Sequence, residues 1–556
     1  MIFVIGLSVF MAFSRGKGEH VDRLLMMLVW SVSLSLLLSS TLASDYLIGY
    51  DVHREYFLAL QTSIAGAWSP LQVDPYTSLL SITILPAIIS DLSALSMVQI
   101  FKVVFPLIYS IVPLILYKVA RKILAPSAAF LSVFLFMSYD AFYDQMLSLG
   151  REEIAELLLM LLILALLSPS ISSGTSGRLT LVLLTLGFAT SHYSLAYIYL
   201  AILVLSFVTY RIFRISVRSV DMTLLAITSV VLLSWYAFAA SGAGILTLNG
   251  ALSFVVNAMR TDLFSPATTP QLSKALGAVP LPPGILHQAD RYTELSVPLL
   301  LLLGFIVFAC KKEKSITERQ ILPIMSGGLL LLGGDAVLPG FAAALDFSRT
   351  YHTALLFISI CFIYGAGFVE RALLSIGSLI RRHRQIHVPS VARTLHLAAA
   401  VLFLYFLFVS GWLWAVTSDV PTSLVFDTNR MANSTNPALN AEYYADFTVL
   451  SDISAAVWLH FQASSSRSVC ADATAKYHVL LSYGEFPLVT SRYYTSYLPD
   501  NCDFSHSYVY LSEFNNRYGQ GSTFAPATFR ISDISQQLSR MNTVYSNGAA
   551  TIYASQ

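Results

Sequence analysis

The chain has 556 residues, of which 56% are hydrophobic and 12% are Asp, Glu, Lys or Arg, with a formal net charge of +1. Soluble globular proteins carry roughly 25% of these charged residues, so the composition excludes a soluble protein and predicts an α-helical polytopic membrane protein. The nearly balanced charge gives no reason to expect nucleic acid as a partner.

Apolar runs of the length needed to cross a bilayer follow one another up to residue 416. A hydrocarbon core of roughly 30 Å takes about 20 helical residues. The run 79–91 is shorter and contains Pro86, which predicts a re-entrant or interfacial segment. About 11–12 spans are predicted, near residues 1–13, 24–43, 97–117, 126–139, 154–168, 179–191, 193–210, 222–240, 295–310, 321–340, 350–369 and 396–416.

Lys and Arg residues are concentrated on one side of this arrangement. If the spans alternate in direction, 19 of the 33 fall in the connections 15–23, 118–125, 169–178, 211–221, 311–320 and 370–395. The positive-inside rule makes that side cytoplasmic. The opposite, extracytoplasmic side is then expected to hold the loops 44–96, 140–153, 241–294 and 341–349, together with the chain after residue 417.

The character of the chain changes after Trp414. Residues 1–416 form the predicted transmembrane domain, whereas 417–556 contain no span and alternate short β-branched or aromatic runs with turn residues. We therefore predict a soluble extracytoplasmic α/β domain over 417–556. An outside location would permit N-glycosylation at Asn433. It would also permit a disulfide between Cys470 and Cys502, which we predict.

The first outer loop opens with an unusual concentration of charge in the stretch SDYLIGYDVHREY (residues 44–56). Charged groups beside a bilayer are costly unless they face water or have a partner. Asp51 therefore either caps a following helix or belongs to a site, and Glu55 either pairs with Arg54, faces water or belongs to the same site. His53 lies between them and is a further candidate ligand.

An amphipathic helix is expected directly after this stretch. Apolar side chains recur at helical spacing through Phe57, Leu60, Ile64 and Trp68. Such a pattern is typical of a helix that lies in the membrane interface with its apolar face towards lipid.

The second outer loop also brings acidic residues to this surface. Its sequence SYDAFYDQMLSLGREE (residues 138–153) places Asp140 and Asp144 at the i, i+4 spacing of a helix, followed by Arg151 and Glu152. Two separate loops thus carry carboxylates to the same side of the membrane, which favours a site over two unrelated solvated loops.

Two further segments carry polar residues at the ends of spans. The stretch SHYS (191–194) contains His192, for which a hydrogen-bonded structural role competes with a role in a site. The stretch DFSRTYH (346–352) brings Arg349, Tyr351 and His352 into the start of a span. An arginine at that depth needs an anion, either a carboxylate of the protein or a phosphate of a ligand.

The segments GYDVHREY, SLGREEIAE, SHYS and SRTYH resemble those of uncharacterised, mainly archaeal multi-pass proteins. Together with the acidic outer loops and the soluble tail, they make the chain similar to the GT-C superfamily of polyprenyl-phosphate-dependent glycosyltransferases. This resemblance implies a GT-C-like fold and a catalytic base or metal-linked acid at Asp51. It also implies a second acid at Asp140 or Asp144.

The resemblance leaves the cofactor open. A divalent cation such as Mg²⁺ or Mn²⁺, if one is used, is expected on Asp51 and Asp140. The second loop has no DxD sequence and the tail has no WWDxG-type motif. The resemblance therefore does not extend to metal dependence or to transfer onto asparagine.

The reaction implied by the resemblance moves a sugar from a polyprenyl-phosphate-linked donor to a glycan, lipid or protein acceptor at the outer face of the cell membrane. Asp51 is expected to take the acceptor proton, and Arg349, with Arg151 or Arg291, to meet the leaving phosphate. The loop 241–294 is expected to be either a mobile lid or an ordinary connector. Further expected substrate ligands are His53, Glu55, Glu152, His192, Tyr351 and His352.

Two other functions remain open from the sequence. A transporter or flippase of lipid-linked sugars would carry paired charges within its spans, for which Glu156 and Asp335 are the candidates. A non-catalytic surface or assembly protein would use its tail for binding, with the loops as support. Loss of activity in a folded Asp51→Asn variant would separate an enzyme from the second alternative.

Overall fold

The structure is a computed structural model and describes residues 19–69, 75–168, 171, 174–215, 220–262, 284–380, 395–417, 424–434, 443–444, 446–464, 466–486, 495–523 and 528–555. Helices dominate up to residue 417, and a small sheet region follows near the C-terminus. The expected span 1–13 and residues 263–283 of the expected lid lie outside the described residues.

Seven of the described helices are long and apolar enough to cross a membrane. This agrees with a multi-pass membrane protein. Four shorter apolar helices accompany them: Ile84–Ser93, Pro126–Ser138, Gly174–Ala189 and His396–Val409. The seven long ones are Glu19–Thr41, Met97–Arg121, Tyr193–Ile212, Met222–Ala239, Ile285–Ala309, Ile316–Val337 and Phe347–Ile376, the last continuing to Ile380.

Several expected spans differ from the observed helices. The segment expected as one span over 396–416 is two helices, His396–Val409 and Trp412–Thr417. They are separated at Gly411, whose φ of 74° a helix cannot contain. The segment expected at 154–168 is a helix that begins earlier, Gly150–Leu166, so that its charged first turns are part of it.

The outer loops are also more ordered than the sequence suggested. The loop 241–294 contains the helix Ala243–Asp262 and the first turns of Ile285–Ala309. The second outer loop is not a regular helix: it forms two 3₁₀ turns, Asp140–Phe142 and Gln145–Ser148. The i, i+4 spacing of its two aspartates therefore does not place them on one helix face.

Helix Pro126–Ser138 lies at the centre of the membrane domain, since all its side chains from Ala128 to Ser138 are buried. Helix Phe347–Ile380 packs beside it and also against Ile285–Ala309. The closest approach of this last pair is at Gly304 and Gly365, where each helix backbone lies against the other. Small residues permit such an approach between membrane helices.

A methyl group at position 365 should therefore destabilise the fold. In Gly365→Ala the new Cβ would overlap the backbone carbonyl of Leu300. We expect a loss of about 1–3 kcal/mol, as for other overpacked sites, measured as a lower thermal unfolding midpoint in lipid nanodiscs. The control is Gly333→Ala, since a Cβ there meets nothing within 4 Å. Equal midpoints for the two variants would contradict the close contact.

The C-terminal region contains a five-stranded mixed sheet, with its strands in the order Thr495–Tyr497, Ser468–Ala471, Ser507–Leu511, Thr551–Ala554 and Asn542–Ser546. The strands are β1 Ser468–Ala471, β2 Thr495–Tyr497, β3 Ser507–Leu511, β6 Asn542–Ser546 and β7 Thr551–Ala554, with a separate pair β4 Gln520–Ser522 and β5 Thr528–Arg530. Strand β1 runs parallel to β2 and β3, whereas β7 is antiparallel to β3 and β6. The principal helices of this region are Leu450–Gln462, the π-helix Ala475–Leu481 and Glu513–Tyr518.

The predicted disulfide between Cys470 and Cys502 is present, with a Cα–Cα distance of 5.7 Å. It joins strand β1, which lies between β2 and β3, to the connection that precedes β3. The described part of the tail thus has the helices and sheet that the sequence predicted.

The tail is joined to the first outer loop by direct contacts. Ile48 forms an isolated antiparallel bridge with Phe447. The backbone N–H of Gly49 donates to the carbonyl of Asp446 at 3.0 Å, and the N–H of Leu47 donates to the Tyr483 hydroxyl at 3.1 Å. The loop that carries Asp51 is therefore positioned from both sides, by the membrane helices and by the tail.

Candidate active site

The first outer loop forms the helix Asp51–Ala65. Gly49, with a φ of 91°, turns the chain into it. Asp51 does not cap this helix, because the N-cap is Tyr50 and makes no side-chain cap bond. Asp51 and Glu55 instead lie one turn apart on the same helix face.

This helix buries a charged face, contrary to the expectation for a simple interfacial helix. Val52, His53, Glu55 and Ala59 are its buried residues, whereas Ile64 on the predicted apolar face is 65% exposed. A carboxylate is buried only if a cation compensates its charge. The helix is amphipathic as predicted. The sequence did not predict which cation compensates the buried carboxylate of Glu55.

Arg151 is that partner. Its Nη2 lies 2.7 Å from Asp51 Oδ2, and its Nη1 donates to Glu55 Oε1. Its backbone N–H also donates to Glu55 Oε2 at 3.3 Å. The Arg151 side chain is only 3% exposed and that of Glu55 is fully buried. Glu55 therefore pairs with an arginine 96 positions away and not with its neighbour Arg54.

Arg349 meets the same carboxylate from a third segment. Its Nη2 lies 3.2 Å from Asp51 Oδ2, across 298 positions of sequence. Its side chain is 25% exposed, far more than that of Arg151. Two guanidinium groups thus converge on one oxygen of Asp51, and Arg349 is the more accessible of the two.

Tyr76 covers this group and was not anticipated from the sequence. Its hydroxyl donates to Asp51 Oδ2 at 3.4 Å. The guanidinium carbons of Arg54 and Arg151 lie 4.2 and 4.6 Å from its ring centroid, which are distances of cation–π contact. Tyr76 lies 25 residues after Asp51 in the same loop and belongs to no recognisable motif, so the sequence alone provided no reason to select it.

Glu152 and His192 extend the cluster on the other side. His192 Nε2 lies 3.0 Å from Glu152 Oε1. The other ring nitrogen, Nδ1, accepts the backbone N–H of Leu195 at 3.2 Å and so caps the helix Tyr193–Ile212. His192 therefore has the structural role considered from the sequence and also contacts the residue beside Arg151.

His352 and Tyr351 do not face this cluster. His352 is buried, with Nε2 at 2.8 Å from the Tyr109 hydroxyl and 3.2 Å from Glu156 Oε2. Tyr351 packs on the ring of Tyr139, with centroids 4.8 Å apart. Tyr351 is two positions from Arg349 and points to another face of the helix, whereas His352 lies on the same face as Arg349, one turn further along, where it meets Tyr109 and Glu156. Their expected contact with a substrate stays a prediction.

His53 lies against the tail. Its ring stacks on that of His478 at a centroid distance of 4.6 Å, and its Nδ1 lies 2.8 Å from the Ser482 hydroxyl. It is fully buried. The third position of the helix thus faces the tail, while the first and fifth face Arg151, and a role for His53 as a substrate ligand stays a prediction.

The second outer loop supplies Arg151 and Glu152 to the cluster and turns its aspartates elsewhere. Asp140 is exposed and accepts the backbone N–H of Ala141 at 2.9 Å. Asp144 lines a small cavity with Lys102 and Asp446. Arg291 lies half-buried on the helix Ile285–Ala309 and stays a predicted phosphate ligand.

The arginines control the protonation of the two inward carboxylates. Burial raises the pKa of Asp51, but the charges of Arg151 and Arg349 outweigh it and hold the pKa below its usual value. Burial raises the pKa of Glu55 to about 7, although Arg151 opposes the change. Asp51 is therefore ionised at neutral pH, whereas Glu55 is poised between its two states.

The surroundings of Asp51 suit an anion better than a cation. Its Oδ2 already faces two positive groups, which would repel a divalent ion. Over the described ranges, no group of three or more His, Cys, Asp or Glu side chains is arranged to hold a metal. The residues therefore do not fit the expected Mg²⁺ or Mn²⁺ on Asp51 and Asp140, and no catalytic step is assigned to a metal.

Removal of Arg151 should destabilise the whole fold. Arg151→Met would leave the buried Glu55 without a cation and Asp51 with Arg349 alone, and the loss of one partner of a buried ion pair typically costs about 3–5 kcal/mol. The matched control is Arg23→Met, which breaks an exposed pair with Glu19 and should cost about 1 kcal/mol or less. Unfolding midpoints in nanodiscs measure both. Adding Glu55→Gln to Arg151→Met should recover part of the lost stability. Equal unfolding midpoints for Arg151→Met and Arg23→Met would refute the prediction.

A family model described as "Predicted membrane protein (DUF2206)" matches residues 177–553. No curated protein matches the sequence. The chain is similar in structure to the Archaeoglobus fulgidus oligosaccharyltransferase in its apo form, with 13% identity, a TM-score of 0.48, and coverage of 97% of this chain and 75% of that one. The same enzyme tethered to an acceptor peptide containing the NVT sequon gives 14% identity, a TM-score of 0.47, and coverage of 97% and 74%.

ArnT from Cupriavidus metallidurans bound to undecaprenyl phosphate is a further similar structure. It shows 12% identity and a TM-score of 0.41, with coverage of 95% of this chain and 97% of that one.

Proposed function

The chain belongs to the family of predicted membrane proteins DUF2206, and we propose that it transfers a sugar from a polyprenyl-phosphate-linked donor to an acceptor hydroxyl at the extracytoplasmic membrane face. The observation that carries this proposal is the convergence of Arg151 and Arg349 on Asp51 Oδ2. This arrangement places a carboxylate beside an accessible guanidinium group. Transfer of a sugar from a phosphate leaving group needs both, the carboxylate to accept the proton of the acceptor and the guanidinium group to stabilise the phosphate.

The sidedness follows from the distribution of positive charge. If the spans alternate in direction as the sequence predicts, the stretch KKEK at 311–314 and 16 other Lys and Arg lie in connections on the side opposite the Asp51 loop. The positive-inside rule then assigns the Asp51 cluster and the tail to the outer face. A donor whose lipid is anchored in the outer leaflet would present its phosphate at the depth of a helix terminus, where Arg349 lies.

Arg349 is the proposed phosphate ligand. Arg151 uses both terminal nitrogens on Asp51 and Glu55 and is nearly inaccessible, so it holds Asp51 in place. Arg349 contributes one nitrogen to Asp51 and keeps part of its side chain exposed. A phosphate group that enters the site would replace the Asp51 carboxylate as the partner of Arg349, since a guanidinium group binds both anions well.

That exchange would also prepare the base. Once Arg349 turns to phosphate, less positive charge acts on Asp51 and its affinity for a proton rises. The acceptor oxygen then attacks the anomeric carbon, its proton passes to Asp51, and the bond from that carbon to the phosphate oxygen breaks. The leaving polyprenyl phosphate takes the bonding electrons, and Arg349 stabilises the charge that develops on it.

Asp51→Asn should abolish sugar transfer while leaving the protein folded. General-base catalysis contributes roughly 10²–10⁴-fold, so we expect a loss of at least about 100-fold. Membranes containing the protein would be assayed with polyprenyl-phosphate-linked, radiolabelled mannose or glucose. The control is Asp45→Asn, because Asp45 lies in the same loop and is exposed.

Retained transfer in Asp51→Asn would refute the assignment of the base. Two other outcomes would favour the alternatives. Movement of the labelled lipid across the bilayer without transfer would support a transporter, for which the buried contact of His352 with Glu156 is the structural argument. A wild-type protein that neither transfers nor moves the lipid would favour an assembly role.

Arg349→Gln should weaken binding of polyprenyl phosphate itself. A hydrogen bond to a charged group contributes about 1.5–3 kcal/mol, which corresponds to a loss of roughly 10- to 100-fold in affinity. Native mass spectrometry of the full chain with undecaprenyl phosphate would measure this. Arg23→Gln, at an exposed site, is the control, and Arg349→Lys should restore binding only in part because lysine cannot form the paired contact.

A further inference from the structure

A large groove lies at the far end of the membrane helices from the Asp51 cluster. Its volume is about 700 Å³, within the range of roughly 300–1,000 Å³ for small-molecule sites. Arg349, which contacts Asp51, and Arg371, which lines the groove, lie on one helix. At 1.5 Å per residue they are roughly 33 Å apart, close to the thickness of a hydrocarbon core. The helices that enclose the groove are Pro126–Ser138, Ile285–Ala309 and Phe347–Ile380.

The walls of the groove are mostly apolar and open sideways from the helices. Leu303, Val307 and Ile363 line it. Ile306 and Phe368 line it as well, and they are 49% and 44% exposed. In a membrane protein, an apolar surface that opens sideways from the helices faces the acyl chains of the bilayer. This part of the groove therefore suits the hydrocarbon chain of a lipid.

Two cationic side chains, Lys311 and Arg371, line the same groove. The Lys311 Nζ lies 2.6 Å from Glu318 Oε1, and the Lys311 side chain is still 44% exposed. Lys311 thus offsets the charge of Glu318. Among the described residues Arg371 makes no ion pair, and the neighbouring Glu370 contacts His396 instead. The described part of the chain therefore leaves one positive charge at the groove uncompensated.

The start of the helix Pro126–Ser138 adds to this positive potential. Its N-cap, Ala125, lines the groove and makes no side-chain cap bond. A helix N-terminus carries a partial positive charge. The carbonyl groups at the end of the neighbouring helix would oppose it, but Lys314 donates to the carbonyl of Ala309 at 2.7 Å. The polar groups at the groove together favour an anion.

We propose that this groove binds an anionic glycerophospholipid of the leaflet opposite the Asp51 cluster, with its phosphate on Arg371 and Lys311 and an acyl chain along the apolar side chains. The positive-inside rule makes that leaflet cytoplasmic, and basic pockets between membrane helices on that side bind anionic head groups. The proposal does not depend on transfer chemistry at Asp51. It identifies a lipid site separate from that of the sugar donor.

Native mass spectrometry of the full chain in a neutral detergent tests the proposal. Dioleoyl-phosphatidylglycerol and dioleoyl-phosphatidylcholine would be added at equal concentrations, with glycerol 3-phosphate as a competitor. We expect saturable binding of phosphatidylglycerol, at an affinity at least about tenfold higher than that of phosphatidylcholine. Glycerol 3-phosphate should not compete, because it has no acyl chain to occupy the apolar part of the groove.

Two variants locate the site. Arg371→Gln should weaken the binding of phosphatidylglycerol by at least about tenfold. The matched control is Lys312→Gln, since Lys312 is exposed, lies beside Lys311 and carries the same charge. Val307→Trp fills the groove without changing its charge and should also weaken binding. All three variants should keep the wild-type unfolding midpoint in lipid-free detergent.

Cys310 reports on the groove itself. It lines the groove and is exposed, whereas Cys361 is buried and Cys470 and Cys502 form the disulfide. A maleimide should therefore label Cys310. At a phosphatidylglycerol concentration about ten times its Kd, labelling should slow roughly tenfold by mass action.

A cysteine outside the groove controls for the general effect of lipid charge on thiol reactivity. In a Cys310→Ser background, Ile316→Cys places a thiol at a position that is 69% exposed and follows the same loop. Its labelling rate should be the same with phosphatidylglycerol as with phosphatidylcholine. An equal slowing at both positions would show that the lipid does not occupy the groove.

Four further results would overturn the proposal. One is equal affinity for the two phospholipids. Another is an equal loss of binding in Lys312→Gln and Arg371→Gln, which would indicate general attraction to positive charge. The third is competition by glycerol 3-phosphate, which would identify a site for a free anion. The fourth is displacement of phosphatidylglycerol by undecaprenyl phosphate in Arg349→Gln, which would make the groove a polyprenyl site. Sugar transfer is not a readout here, so a failure of the proposed function would be recognised separately.

Discussion

The buried pairing of Arg151 with Asp51 and Glu55 is the interaction on which the site depends. One guanidinium group compensates two carboxylates from the first outer loop and in doing so fixes that loop to the start of the helix Gly150–Leu166. A buried cation without its anions, or the reverse, is strongly unfavourable. The charges therefore act as a positional constraint, since the membrane helices can approach only in the register that brings these three groups together.

The remaining polar contacts are arranged around that constraint. Arg349 adds a second positive group to Asp51, and His192 adds a contact to Glu152 while it caps its own helix. The two arginines differ in accessibility, and this difference separates a residue that positions Asp51 from one that can meet a ligand.

The sequence predicts the parts of this structure that depend on local patterns. Hydrophobic run lengths predicted most of the long helices, and turn residues with β-branched runs predicted the sheet region. The disulfide was predicted from Cys470 and Cys502 and the expected outside location of the tail. The convergence of the outer segments was expected, because Asp51, Arg151 and Arg349 all lie at span ends on one side. The sequence could not predict which acidic residues lie beside these three. The second outer loop forms 3₁₀ turns, and this backbone geometry directs Asp140 and Asp144 away from Asp51. Tyr76 and the paired glycines 304 and 365 act through tertiary contacts that no local pattern reveals.

The backbone bridge between Ile48 and Phe447 has a consequence for how members of this family can be recombined. The segment 44–56 is covalently part of the membrane domain, but its side chains are packed into the tail through His53 and His478. A chimera cut at the apparent domain boundary near residue 417 would join a loop from one protein to a tail shaped for another. The unit that can be exchanged is instead discontinuous, and comprises the tail together with the opening turn of the first outer loop.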